Sequence, residues 1–373
     1  MAAAGVPTTE LNIYPVKEDK FPFKDYVPEE LGCFSIDKNC KPHMDNRMLK
    51  YLYTPPGSQG HVYNLRDGYD TFHNHDDRLT KKINNIIKWI AENKNLFELE
   101  MKKGDDDSRL IKSLNTDFVC RRGHLGTIMY TPYKREGWKM AVMLFGGTYY
   151  ISEVITEEKK AYEENRTDIE RRMEYVGYKF EQCITSRAEG ERPDTTIPIN
   201  KAGAYYSVVR TKLNGHSLIY SAEVDCCETS DPELQPPFNY VEIKTNKIGR
   251  NRHKFVHPFK LLKWWAQCFF IGIPKIIAGF RSEHGIVEQA DVETYLTCDI
   301  PKIANKTKQF WSPEGCMNFC DKFLKFVKDV VRRDDPKVVY LFERTPGGKT
   351  VTYREGTADD IFVPDWYASE FVG

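Results

Sequence analysis

The sequence carries no net charge: 54 Lys and Arg balance 54 Asp and Glu. A protein that coats nucleic acid regardless of sequence is basic overall, so any nucleic-acid contact here is local. Ten cysteines are scattered without a Cys-x-x-Cys pair. Cys226 and Cys227 are adjacent, and Cys316 and Cys320 share a helical face. Neither arrangement makes a zinc site or a disulfide framework, so a reducing, intracellular compartment is expected. No long apolar run exists. The most apolar stretch, "WWAQCFFIGIPKIIAGF", is cut by Pro274 and Lys275 and is too short for a bilayer. The start, "MAAAGVPTTELNIYPVKEDK", lacks a signal peptide's apolar centre. A soluble chain without membrane contact is expected, and no internal repeat is visible.

What is present suffices for a large core. The chain has 373 residues, 40% hydrophobic and 13% aromatic, enough for one large domain or two ordinary ones. Residues 1–27 mix Pro, Lys and Glu and read as an arm lying on the body. "HNHDDRLTKKINNIIKWIAENK" reads as a helix, capped by Asp76 or Asp77, with Ile83, Ile86, Ile87 and Ile90 as its stripe. "KKGDDDS" is a polar break. "GWKMAVMLFGGTYYISEV" reads as a hairpin turning at Gly146-Gly147. One long helix is predicted from Thr156 to about Glu181, with Ile169, Met173, Val176 and Phe180 at helical spacing. A second hairpin turns at Asn214-Gly215, a type I′ signal, and "NYVEIKT" is a further strand. Pro258 opens a helix, and Ser312-Pro313-Glu314 opens another between the strands "KIIAGFR" and "VVYLFER". Helices interleave with hairpins, which points to mixed β-sheets with flanking helices, an α/β or α+β fold.

The chemistry concentrates in "AEVDCCETSDPELQPPFNYVEIKT". Side chains alternate across a strand. Leu218, Tyr220, Ala222 and Val224 share one face, and Ser221, Glu223 and Asp225 the other. Val241 and Ile243 oppose Tyr240, Glu242 and Lys244. If the two strands pair through the loop 227–238, three carboxylates and an amine meet. Such a cluster is self-repelling, and one lysine offsets only part of the repulsion. A hard divalent cation relieves it, and an all-oxygen set favours Mg²⁺ or Mn²⁺. Asp followed across a connection by Glu-x-Lys is the PD-(D/E)xK nuclease arrangement. There the carboxylates hold metal and the lysine serves water or phosphate. The competing reading is a pair of amphipathic strands with a solvated polar face.

Beyond that core, "GYKFE" (Gly177 to Glu181), "EVD", "EIK" and the upstream "RRGHLG" resemble, in that order, the motifs of the DXO family of decapping exoribonucleases. "ELGCFSID", "LRDGYD", "FKLLKWWAQCFF", "AGFR" and "CMNFC" extend the resemblance from about residue 28 past residue 345. The resemblance implies a single catalytic domain over 28–373 with a PD-(D/E)xK core. It implies two Mg²⁺ or Mn²⁺ ions held by Glu181, Glu223, Asp225, Glu242 and the Ile243 carbonyl. Gly177, one turn before Glu181, would leave that helix surface open. Lys244 and Gln267 would serve the attacking water and the scissile phosphate. Arg121, Arg122 and Gly123 would contact the RNA 5′ end, although relatives often carry an aromatic residue at the position of Arg121. The substrates implied are RNA 5′ ends that are capped without full methylation, NAD-capped or phosphorylated, with pyrophosphate release in some members and 5′→3′ degradation. The nucleus is the expected compartment, with the cytoplasm as the alternative.

Two other readings compete: a partner that stabilises a 5′→3′ exoribonuclease, and a DNA endonuclease with the same core. "HNHDD" reads as a helix cap and not as a metal site. "TPGGKT" reads as a turn, because Glu343 replaces the first glycine of a phosphate loop. "KTNKIGRNRHK", directly after Lys244, is either a solvated loop or a phosphate track.

Overall fold

The computed structural model describes residues 9–57, 60–73, 83–97, 99–103, 110–231, 233–306 and 311–372. A ten-stranded and a six-stranded mixed sheet dominate the fold. In the larger sheet, Phe118–Arg121 lies parallel to both Thr148–Val154 and His216–Val224, while the hairpins supply antiparallel pairs. This sheet is buried on both sides. Met140, Val142 and Leu144 enter one core with the helices Arg122–Met129, Pro258–Ile271 and Pro313–Val330. Ala141, Met143 and Phe145 enter another with the helices Asn84–Glu92 and Asp365–Ser369. Strand alternation and two apolar faces together explain the near-continuous hydrophobic run.

The hairpin turns fall where expected. Gly146 and Gly147 take positive φ (59° and 76°), and their N–H groups donate to the Asp334 carboxylate at 2.7 Å. In the second hairpin Leu213 faces His216, and Asn214 takes the left-handed conformation at φ 50°. "TPGGKT" is the turn between the paired strands Tyr340–Arg344 and Thr350–Glu355. Ile83, Ile86, Ile87 and Ile90 are buried as one stripe. Asp76, Asp77 and the centre of "KKGDDDS" lie outside the described residues. At the chain's start, Glu10–Asn12 pairs with Thr350–Thr352 at the edge of the large sheet. Among the described residues no helix is long and apolar enough to cross a membrane.

The single long helix is a correction. Two helices occur, Glu157–Glu164 and Asp168–Ile184. Thr156 caps the first, and Thr167 starts the second through a capping box, its hydroxyl accepting from Glu170 N while Glu170 takes Thr167 N–H. Ile169 and Met173 are consequently 68% and 50% exposed. Only the C-terminal half, through Val176, Phe180, Cys183 and Ile184, packs on Val241 and Ile243 of the six-stranded sheet. That seat is close: a Cβ on Gly279 would lie 2.6 Å from the Phe180 ring.

Candidate active site

The site forms where the chain leaves one sheet for the other. His216–Val224 belongs to the ten-stranded sheet and Tyr240–Lys247 to the six-stranded one. The expected pairing of these two strands is therefore corrected. Only the short Cys226–Cys227 strand pairs with Tyr240 and Val241, and Asp225 stands at the crossing. The alternation within each strand holds. Leu218, Tyr220, Ala222 and Val224 lie together in one core, and Val241 and Ile243 lie under the long helix. Glu223 and Asp225 are half-buried, and Glu242 is 2% exposed.

Asp225 Oδ2 accepts the Ile243 N–H at 2.6 Å. In an extended strand the N–H and C=O of one residue point to the same side. The Ile243 carbonyl is thus aimed toward Asp225. Lys244 Nζ donates to Glu242 Oε1, while Glu242 Oε2 is buried with no hydrogen-bond partner among the described residues. A buried carboxylate oxygen left bare is costly unless something positive reaches it.

Electrostatics ties the acids together. Burial pushes the Glu181 carboxyl up to about 7; the charges of Glu223 and Glu242 add to the push, and Lys50 and Lys244 oppose it. Burial also raises Asp225 well above the carboxylate range, with Glu242 and Glu181 contributing. Burial alone would lower Lys244, but Glu242 and Asp225 outweigh it and hold the amine protonated. The carboxylates share one neighbourhood. Among the described residues no group of three His, Cys, Asp or Glu is placed to hold a metal. Glu242 is turned to Lys244, and Asp225 to the Ile243 amide.

Glu181, Glu223 and Asp225 line a cavity of about 380 Å³. Glu223 also lines a second cavity of about 280 Å³, together with Arg121, Arg122, Gly123 and His124. Arg121 lies over the ring of buried Tyr206 at 5.8 Å. Arg122 Nη1 donates to the Gln267 carbonyl at 2.8 Å, joining two helices at the site. Gly123 is exposed, and a Cβ there would meet nothing within 4 Å. Gln267 is half-buried on the helix Pro258–Ile271. His124 is buried, and burial first, then Arg121, pushes it down to about 3, so it is neutral. Gly177 is open too, with nothing within 4 Å of a Cβ.

The basic run after Lys244 is largely neutralised. Lys247 pairs with Glu283 at 2.7 Å, Arg252 with Glu288 at 3.0 Å and with Asp291, and Lys254 with Glu293 at 2.9 Å. These three side chains form an ion-paired surface loop, which favours the solvated-loop reading. Lys50 was missed by the sequence reading. It lines the first cavity and acts on Glu181, yet no motif contains it.

Comparison with known proteins agrees with this layout. The family described as RAI1-like PD-(D/E)XK nuclease matches residues 26–368. The decapping and exoribonuclease protein of Xenopus laevis is 38% identical over 369 residues, covering 96% of this chain and 89% of the relative. The crystal structure of Scheffersomyces stipitis Rai1 in complex with (3′-NADP)+ and calcium ion superposes with a TM-score of 0.76 at 21% identity, covering 92% of this chain and 94% of that one. Candida albicans Rai1 in complex with pU5-Mn²⁺ gives 0.75 at 22% identity, covering 94% and 98%. With a fold shared along nearly its whole length and a relative above one-third identity, the chain belongs to the RAI1-like PD-(D/E)XK nuclease family.

Proposed function

We propose that this protein is a divalent-metal-dependent hydrolase of RNA 5′ ends. It removes incomplete and non-standard caps, including unmethylated guanosine and NAD caps, and degrades RNA 5′→3′. Release of 5′ pyrophosphate belongs to the same pocket, since each reaction is water attack on phosphorus near the chain end. The observation that carries the reading is the convergence of Glu181, Glu223 and Asp225 on one cavity, with buried Glu242 and its protonated partner Lys244 acting on these acids electrostatically. Catalysis is assigned to one unit spanning 28–373, with 1–27 as an arm and the nucleus as the expected compartment.

The donor set fits a hard cation. Glu242 Oε2 lacks a partner among the described residues, the other acids repel one another, and every donor is oxygen. Glu181, Glu223, Asp225, Glu242 and the Ile243 carbonyl would hold the metal, with Mg²⁺ or Mn²⁺ as two ions. When bound, such ions supply Lewis acidity toward phosphate and lower the pKa of water. The protein's own groups do the rest. Lys244 is a cation and not a base, so it orients the water or steadies charge growing on phosphate. Gln267 positions the scissile group from the adjoining helix. Arg121 and Arg122 bind the terminal phosphates by charge-assisted bonds, and exposed Gly123 leaves room for the end group. In-line attack set by these contacts needs no covalent intermediate.

The test is one panel. Purified protein with Mg²⁺ or Mn²⁺ meets RNAs ending in triphosphate, monophosphate, unmethylated cap, methylated cap, NAD or hydroxyl. Metal-dependent release of cap or terminal nucleotide is expected from the unmethylated, NAD and monophosphate ends. Inertness toward all six would end the reading. Docking to a 5′→3′ exoribonuclease is a separate property that copurification examines.

A further inference from the structure

Lys50 has no role in the motif-based reading, yet its placement is specific. Its backbone is fixed between two parts of the site. Lys50 O accepts the Cys227 N–H at 2.9 Å, next to the Asp225 crossing. The following residues, Tyr51 and Leu52, pair with Ser186 and Thr185 at the end of the helix that bears Glu181. The side chain is half-buried and lines the same cavity as Glu181, Glu223 and Asp225. Among the described residues its ammonium makes no ion pair or hydrogen bond. Four more cations line that cavity: Arg47, paired with Asp45 at 2.7 Å, and Lys38, Arg187 and Arg192, which are exposed and without a carboxylate partner among the described residues, although Glu191 and Asp194 line the cavity as well. By contrast, Lys247, Arg252 and Lys254 of the loop after Lys244 are paired with Glu283, Glu288 and Glu293.

Resting on the hydrolase reading, we propose that Lys50 binds the RNA phosphodiester immediately 3′ of the scissile phosphate, and that Lys38, Arg187 and Arg192 continue this track along the cavity wall. A half-buried ammonium is screened less than an exposed one, so the inner position contributes most. The strip also sets polarity. The RNA body leaves past Lys50 and Arg187, while the 5′ end group lies on the other side of Glu223, in the cavity of Arg121 and Arg122.

The experiment compares Lys50→Met and Lys50→Arg with the unaltered protein, full-length and with Mn²⁺. The substrates are 5′-phosphorylated oligouridylates of five and of two residues, the shorter having no phosphate beyond the scissile one. For Lys50→Met, KM for the five-residue RNA is expected to rise about tenfold, which corresponds to about 1.4 kcal/mol. The shorter RNA carries no such penalty. The slope of log affinity against log salt falls by about 0.7, one phosphate contact on a single strand. Lys50→Arg restores KM. An equal KM rise for both lengths, a weakened Mn²⁺ affinity, or no change in KM and salt slope would each overturn the proposal while leaving the hydrolase reading intact. Inactivity of the unaltered protein toward both RNAs would instead strike that reading.

Discussion

Titrating the protein with Mn²⁺ at pH 6 and at pH 8 tests the acid cluster through its protons. Glu181 sits at about 7 in the metal-free protein, so it is about one-tenth ionised at pH 6 and about nine-tenths ionised at pH 8. A cation needs the ionised form. Its affinity should therefore rise about tenfold over that interval from Glu181 alone, about 1.4 kcal/mol. Asp225, also raised by burial and by its acidic neighbours, adds to the same trend. The sign for folding is opposite. A carboxyl raised from 4.5 to about 7 binds more protons folded than unfolded, so its stabilisation is complete below 4.5 and fades as pH climbs through 7. The metal-free protein thus loses stability across this window, on the order of 3 kcal/mol from Glu181, and bound metal restores it. Calorimetry in two buffers of different ionisation enthalpy reads the released protons directly, and urea unfolding with and without Mn²⁺ reads the stability. Metal affinity flat from pH 6 to 8, with no proton release, would show that Glu181 and Asp225 do not meet the ion.

Two further perturbations address the machinery and its support. Glu223→Ala combined with Asp225→Ala should abolish hydrolysis of 5′-monophosphate RNA while the circular dichroism spectrum stays unchanged; retained turnover refutes the metal assignment. Gly279→Ala places a methyl 2.6 Å from the Phe180 ring, against the helix that carries Glu181. It should cost about 1–3 kcal/mol in urea unfolding and weaken Mn²⁺ binding, because Phe180 is backed by Val176, Val241 and Ile243 and has little room to retreat. Stability and Mn²⁺ affinity both equal to those of the unaltered protein would mean that the contact does not seat the helix.

How much of this was legible depends on how local each feature is. Strand alternation is set by one chain's own geometry, so the faces of Leu218 to Val224 and of Tyr240 to Lys244 could be read directly, and the structure keeps both. Pairing is not local. Asp225 reads like one more strand residue, yet it is where the chain changes sheets, and only contacts made by distant strands reveal that. The helix break was legible in principle: Thr167-x-x-Glu170 is a capping box, but an apolar period running through Ile169 and Met173 masked it. The basic loop shows the same limit in charge. Its cations are contiguous, while their partners Glu283, Glu288, Asp291 and Glu293 arrive some thirty to forty residues later. Lys50 is the extreme case. Its backbone is pinned by Cys227, 177 residues away, so no local pattern could have marked it. A motif identifies groups that must share a strand or a helix turn. The groups that guide a substrate past them need only share a cavity, and a cavity is made by tertiary contacts.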